Sequence, residues 1–214
     1  VPERGFFITF EGIDGSGKSS QARRLAARLS REGYLVAEAT DPGTTALGER
    51  VRGLLLERSR GGPPEPWAEV ALFLAARVQL LRELIEPGLA TGAVVISDRY
   101  LDSTLAYQGS GRGLDQDALL QLHRVAGAGL LPDLTLLLDL PVEAAQRRFA
   151  AALPLDRMEA EPTAYHERVR QGYLALAQRF SQRIVVLPAN PPAEELAESC
   201  WGVARERLAA RRVV

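Results

Sequence analysis

Phe6-Phe7-Ile8-Thr9-Phe10-Glu11, followed by Gly12-Ile13-Asp14-Gly15-Ser16-Gly17-Lys18-Ser19-Ser20, is the stretch whose reading decides the fold. Its first part is an apolar run that reads as a short buried strand. The residues from Lys18 to Arg31 read as a helix with Leu25, Ala26 and Leu29 on its apolar face. Between them, Gly12 to Ser19 matches G-x-x-x-x-G-K-[ST]. Glycines let successive backbone N–H groups turn inward around phosphate oxygens, and the helix that opens at Lys18 adds its positive end. Lys18 would supply a mobile charge for the β- and γ-phosphates, and Ser19 a hydroxyl for Mg²⁺. A Gly-rich turn that binds nothing is the bland alternative. The strand before the loop and the helix after it argue against that alternative.

Outward from the loop the chain alternates between the two kinds of element. Strands are expected at residues 34–39, 93–97, 134–138 and 184–187, the third-strand run 93–97 being continuously apolar as in a parallel strand buried on both faces. Helices are expected at 47–57, 65–89, 116–128, 142–152, 163–179 and 193–211, with Asp41-Pro42-Gly43 and Gly61-Gly62-Pro63-Pro64 as breaks. Residues 153–161 carry the least pattern. This alternation implies an α/β protein with a parallel sheet and helices on both faces. At 214 residues, 46% hydrophobic and 25% charged, the chain suits one domain spanning 1–214.

Other classes recede on composition. A net charge of −1, from 26 basic and 27 acidic residues, argues against wrapping nucleic acid. Cys200 is the only cysteine, so there is no internal disulfide, and no Cys/His cluster offers a zinc site. No apolar run reaches the ~18 residues that suggest a membrane span. Val1-Pro2-Glu3-Arg4-Gly5 does not look like a signal peptide, and the expected location is the cytoplasm. His123 and His166 fall on expected helices and are given no chemistry, and Cys200 reads as a small packing residue.

Three further blocks carry chemistry: Leu72-Phe73-Leu74-Ala75-Ala76-Arg77; Asp98-Arg99-Tyr100 with Ser103-Thr104-Leu105-Ala106-Tyr107-Gln108-Gly109; and Leu155-Asp156-Arg157-Met158-Glu159. No guanine-reading [NT]-K-x-D segment is present, which sets GTPase switches aside. Together with Phe10–Ser19, and in this order and spacing, the blocks resemble the thymidylate kinases of the bacterial type. The resemblance runs from Phe10 to about the last strand. It implies a P-loop kinase fold with a five-stranded parallel sheet flanked by helices on both faces. It also implies phosphorylation of dTMP to dTDP with MgATP, and a homodimer, to which the expected helix 65–89 would contribute.

The acceptor side can be read residue by residue. Phe73 and Arg77 are four apart on a helix and share a face that could receive a flat base. On spacing alone Phe73 reads more readily as core packing; the resemblance makes it the ring that stacks on thymine and Arg77 the group that bonds the base's carbonyl edge. Asp98 and Arg99 end a buried strand, where ligands of open α/β sheets collect. Asp98 could hold Mg²⁺ through water. The planar fork of Arg99 suits an acceptor phosphate, and a salt bridge closing the strand is the other reading. By resemblance, Ser103, Thr104 and Gln108 lie with the acceptor, the last two at the base edge. Tyr107 would sit where it crowds a ribose 2′-OH, and Asp14 would meet the sugar 3′-hydroxyl.

Two departures from the family pattern stand out. After the second strand the family often has Arg-Glu-Pro-Gly-Gly-Thr; here Thr40-Asp41-Pro42-Gly43-Thr44-Thr45 keeps the carboxylate, as Asp41, and lacks the arginine. The position of an arginine in some phosphate loops is Gly15, and the lid expected at about 147–161 has alanines where arginines would be usual. The cations left for the transferred phosphate are Arg147, Arg148 and Arg157, with Arg148 the first choice and Arg157, which could instead be structural, the second. A weakly active nucleotide sensor of the same fold, or a kinase for another deoxynucleoside monophosphate, are the alternatives. Adenine contacts are expected near Asn190.

Overall fold

Phe6–Glu11 forms β1, buried at every position, because it lies in the middle of a sheet with helices on both sides. The computed structural model describes residues 4–57, 62–127, 129–149 and 155–211. β2 (Val36–Thr40), β3 (Val94–Asp98), β4 (Leu134–Asp139) and β5 (Ile184–Pro188) complete a five-stranded sheet in the order β2-β3-β1-β4-β5. Every pairing is parallel. The chain builds one side of β1 first and the other side later, so the carboxyl end of β1 is the topological switch point, where α/β sheets open a crevice.

The phosphate loop emerges at that point and runs into α1 (Lys18–Arg31). Gly12 has φ 138, and a Cβ there would come within 2.5 Å of Leu138 O, so only glycine lets the loop leave β1 against β4. α2 (Ala46–Leu56) begins at Thr45, whose hydroxyl accepts from Gly48 N at 2.9 Å as an N-cap. α6 (Gln116–Gly127), α7 (Val142–Phe149), α8 (Thr163–Arg179) and α9 (Ala193–Arg211) follow the sequence pattern closely. The expected end of the 116–128 helix, residues 150–152 of the next, and residues 150–154 of the expected lid lie outside the described residues, as do Gly61 and Val1 to Glu3.

Two expectations change. The helix read as continuous over 65–89 is α3 (Pro66–Leu80), a wide π-type turn at Leu81–Ile85, and α4 (Glu86–Ala90). Pro87 lies in the first turn of α4, where its missing N–H and its ring disturb the ladder least, and the wide turn comes just before it. The second change is an added helix. α5 (Leu101–Thr104) runs into a π-helical turn at Leu105–Gly111, a stretch whose glycines lower helix propensity. Gly111 is required by packing: a Cβ there would sit 2.7 Å from Tyr165 Cε2 of α8. Strands β2 and β3 also extend one residue beyond the expected ends, taking in Thr40 and Asp98.

Residues 155–161, expected to be loose, are a compact turn. Asp156 Oδ1 accepts from Met158 N and Glu159 N at 2.8 and 2.9 Å, and Glu159 Oε2 accepts from Asp156 N at 3.0 Å. Among the described residues no helix is long and apolar enough to cross a membrane.

Candidate active site

Two cavities open at the carboxyl edge of the sheet and share three side chains, those of Asp14, Arg52 and Arg99. The first is lined along the phosphate loop by Gly15, Gly17, Lys18, Ser19 and Ser20. Lys18 Nζ donates to Ile13 O at 2.9 Å and lies 3.7 Å from Asp14 Oδ1. Burial, then repulsion from Arg99, pushes its ammonium down to about 8, against the pull of Asp14, Asp98 and Glu11. The Ser19 hydroxyl donates to Asp98 Oδ2, while Asp98 Oδ1 is buried without a partner among the described residues. A hydroxyl and a carboxylate with a spare oxygen form a hard-oxygen pair suited to a divalent cation that keeps its other ligands from water and phosphate. Among the described residues no group of three or more His, Cys, Asp or Glu could hold a metal by itself. Within the same loop, Ile13 and Ser16 are buried and Ser16 Oγ has no partner among the described residues, while Gly12 O accepts from Arg99.

The second cavity brings together all nine residues assigned to the acceptor: Asp14, Asp41, Phe73, Arg77, Arg99, Ser103, Thr104, Tyr107 and Gln108. Half-buried Phe73 closes one wall with Val51, Leu55 and Ala76 behind it. Arg77 is 2% exposed and clamped: Nε donates to Asp41 Oδ2 at 2.5 Å, and Nη2 to Thr104 Oγ1 at 2.8 Å and Tyr100 O at 3.2 Å. Asp41 therefore reaches the site by holding Arg77. Burial pushes its carboxyl up in spite of Arg77, and its second oxygen has no partner among the described residues.

Arg99 joins the two cavities. Among the described residues it is the only non-glycine with positive φ, at 70. That conformation is uphill by about 1–3 kcal/mol and needs support from outside. The support comes from both flanks: Arg99 N donates to Phe10 O at 3.0 Å, and the next amide, Tyr100 N, to Glu11 Oε1 at 2.8 Å. The guanidinium pairs with the Asp14 carboxylate and donates to Ser103 Oγ at 3.1 Å and Tyr107 OH at 3.3 Å. Tyr107 OH in turn donates to Asp14 Oδ2 at 2.8 Å. Burial alone would raise the Asp14 carboxyl; Arg99, Lys18 and the Tyr107 hydroxyl outweigh it and hold it well below the usual carboxylate range.

Beneath this group lies Glu11, fully buried, which also accepts from Ser103 Oγ at 2.6 Å and Tyr173 OH at 2.9 Å. Burial and then Asp102 push it up from 4.5 to about 7, against Ser103, Arg99 and Tyr173. The folded chain thus takes up this proton at higher pH than the unfolded chain. Stability from this group is present at low pH and is lost as pH rises through about 7. Glu11→Gln cannot titrate. Urea unfolding at about pH 8 and about pH 5.5 should show the unaltered protein gaining on the variant at the lower pH. The same difference at both would disprove the assignment.

The lid arginines part company. Arg148 of α7 donates to Gly15 O at 2.8 Å and Ala189 O at 3.1 Å, bridging the phosphate loop and the segment after β5 just before Asn190. Arg147 is exposed. Arg157 turns the other way, with Nη2 on Glu69 Oε2 at 2.5 Å and Nε on Leu55 O at 2.7 Å. It lines neither cavity.

Sequence reasoning missed Arg52, Glu11, Glu69 and Tyr173. Arg52 donates to Pro42 O at 3.1 Å, lines both cavities, and shares the phosphate-loop cavity with Thr40, the position that lacks the family's arginine. Its signal, a charge beside Val51 and ahead of Leu54-Leu55-Leu56, was weak. Glu69 had a stronger one, since it precedes Phe73 and Arg77 at helical spacing on one face. His123 and Cys200 are packing groups: the imidazole meets the Tyr100 ring edge to face at 5.5 Å, and burial pushes the thiol up to about 12.

The family model described as thymidylate kinase matches residues 10–200. The thymidylate kinase of Thermomicrobium roseum is 48% identical over 202 residues, covering 94% of this chain and 95% of that protein. That of Solidesulfovibrio magneticus is 46% identical over 209 residues, covering 94% and 100%. The crystal structure of thymidylate kinase from Ehrlichia chaffeensis superposes with a TM-score of 0.71 at 34% identity, covering 86% of this chain and 93% of that one. The phosphate loop at the switch point, the acceptor cavity beside it and this extent of similarity lead to one conclusion: the chain belongs to the thymidylate kinase family, with the P-loop kinase fold.

Proposed function

We infer that this protein transfers the γ-phosphoryl group of ATP to dTMP, giving ADP and dTDP. The observation that carries the reading is the meeting of a phosphate-loop cavity and an apolar-walled acceptor cavity at Asp14, Arg52 and Arg99. An oxygen of the dTMP phosphate attacks the γ-phosphorus in line, and the bond from that phosphorus to the ADP oxygen breaks. The attacking oxygen is already ionised near neutral pH, so positioning and charge neutralisation do most of the work.

In this reading the loop amides and Lys18 cradle the donor phosphates, and Arg99 with Arg52 clamps the acceptor phosphate. Phe73 stacks on the base while Arg77, Thr104 and Gln108 meet its edge. Asp14 takes the 3′-hydroxyl, and Tyr107 crowds a 2′-hydroxyl. Ser19 and Asp98 would hold Mg²⁺, which supplies positive charge to the β- and γ-phosphates. Arg148, resting on Gly15 O, is the lid cation nearest the loop; Arg157, engaged by Glu69, serves the lid's attachment. The resemblance to the bacterial enzymes supports a homodimer working in the cytoplasm.

A coupled ADP-release assay tests the reading. Turnover should depend on dTMP and rank dTMP above UMP by a wide margin. A preference for UMP would contradict the role of Tyr107, and ATP binding without dTMP-dependent turnover would leave a nucleotide-binding protein instead.

A further inference from the structure

We propose that Glu69 sets the base specificity of the acceptor cavity by fixing which end of the Gln108 carboxamide faces it. The inference rests on the dTMP kinase reading above. Glu69 lies on α3 and is fully buried. Its Oε2 is paired with Arg157 Nη2 at 2.5 Å, and its Oε1 lies 3.6 Å from Arg112 Nε and accepts from Gln108 Nε2 at 2.7 Å.

A carboxylate held between two guanidiniums offers acceptors only, so the Gln108 amide must turn its NH₂ toward it. Gln108 Oε1 is left with no hydrogen bond among the described residues, on a side chain that lines the cavity. Arg77 is the complementary neighbour. Asp41, Tyr100 O and Thr104 engage its Nε and Nη2, leaving Nη1 without a partner among the described residues.

The cavity therefore presents a guanidinium donor and an amide acceptor. Thymine matches them with its O4 acceptor and N3–H donor. Cytosine reverses both, offering an amine at C4 and a bare N3. An unrestrained glutamine would flip its amide and accept cytosine equally well. Here a flip would set Oε1 against the Glu69 carboxylate at 2.7 Å. Arg157, which holds the other oxygen of Glu69, belongs to the turn at 155–161 that also places Met158 in the cavity wall. Docking of that turn and reading of the base thus meet at one carboxylate. Uracil has the same edge as thymine, so Glu69 excludes cytosine and is indifferent to uracil.

The test compares kcat/KM for dTMP, dUMP and dCMP in the unaltered protein, Glu69→Gln and Glu69→Asp. Glutamine can face either end of the Gln108 amide, so E69Q should lower the dTMP-over-dCMP preference about ten- to a hundred-fold, the worth of one hydrogen bond to a charged group. The dTMP-over-dUMP preference should stay put, and E69D, still an acceptor only, should keep most of the discrimination. An unchanged dCMP preference in E69Q, or equal loss of both preferences, overturns the proposal while leaving the kinase reading intact. No dTMP turnover by the unaltered protein sinks both. Should the variants fail to fold, hydrogen exchange of the Gln108 carboxamide in the unaltered protein decides: protection before dTMP is added is expected, and free exchange refutes the restraint.

Discussion

Arg99→Met is expected to slow dTMP phosphorylation by about 10³–10⁵-fold with ATP binding retained, the range seen when an arginine that neutralises a transferring phosphoryl group is removed. Arg99 is one of three side chains that line both cavities, and its guanidinium is already aimed by Asp14, Ser103, Tyr107 and Gly12 O before any ligand arrives. That preorganisation is the physical reason for a large effect: the charge need not be reoriented during the reaction. Methionine keeps an unbranched apolar stem and meets the same backbone strain at φ 70, so the loss would reflect the missing guanidinium. Arg99→Lys should recover only part of the rate, because an ammonium cannot form the planar fork. Steady-state kinetics for the two variants, with unfolding curves alongside, check this. A methionine variant within tenfold of the unaltered rate would falsify the assignment.

Asp41→Ala should lower stability by about 3–5 kcal/mol, the usual consequence of leaving a buried charge alone. The pair it breaks is deeply buried, with side-chain exposures of 2% for Arg77 and 0% for Asp41. The pair is not a large net source of stability, since burial raises the Asp41 carboxyl despite the nearby guanidinium. Its removal is costly because Arg77 would keep its charge with only Tyr100 O and Thr104 Oγ1 as partners. The double variant Asp41→Leu, Arg77→Met should therefore be more stable than Asp41→Ala, though unable to grip the base. Urea unfolding of the three proteins gives the comparison. A double variant no better than the single one would show that the stranded guanidinium is not the cause.

How far the residues alone reach differs from one part of the site to another. The phosphate loop was legible because its chemistry is local: contiguous glycines, a lysine and a serine between a strand and a helix need no distant partner to be recognised. The inner strands β1, β3 and β4 were legible for a related reason, since burial on both faces demands near-continuous apolar runs. The acceptor residues were legible by resemblance, and the structure gathers them from four separate stretches into one cavity. The π-helical turn at Leu105–Gly111 escaped because Gly109 is there for contact with α6 and Gly111 for contact with α8, tertiary demands that override local propensity.

Arg52 and Glu11 were hidden for a different reason. Each is a single charged residue whose meaning comes entirely from what faces it across the fold: Pro42 O and two cavities for Arg52; Ser103, Tyr173 and Tyr100 N for Glu11. Arg157 shows the same limit from the other side. Its position beside Asp156 and Glu159 suggested a local pair or a lid cation, and its guanidinium instead finds Glu69, 88 residues away in the chain. By itself, then, the sequence determined the sheet, the phosphate loop and the class of chemistry, because these rest on backbone geometry and on patterns a few residues long. Only the tertiary structure decided which charges neighbour which, because the energy of a buried charge is set by partners that the chain brings together from a distance.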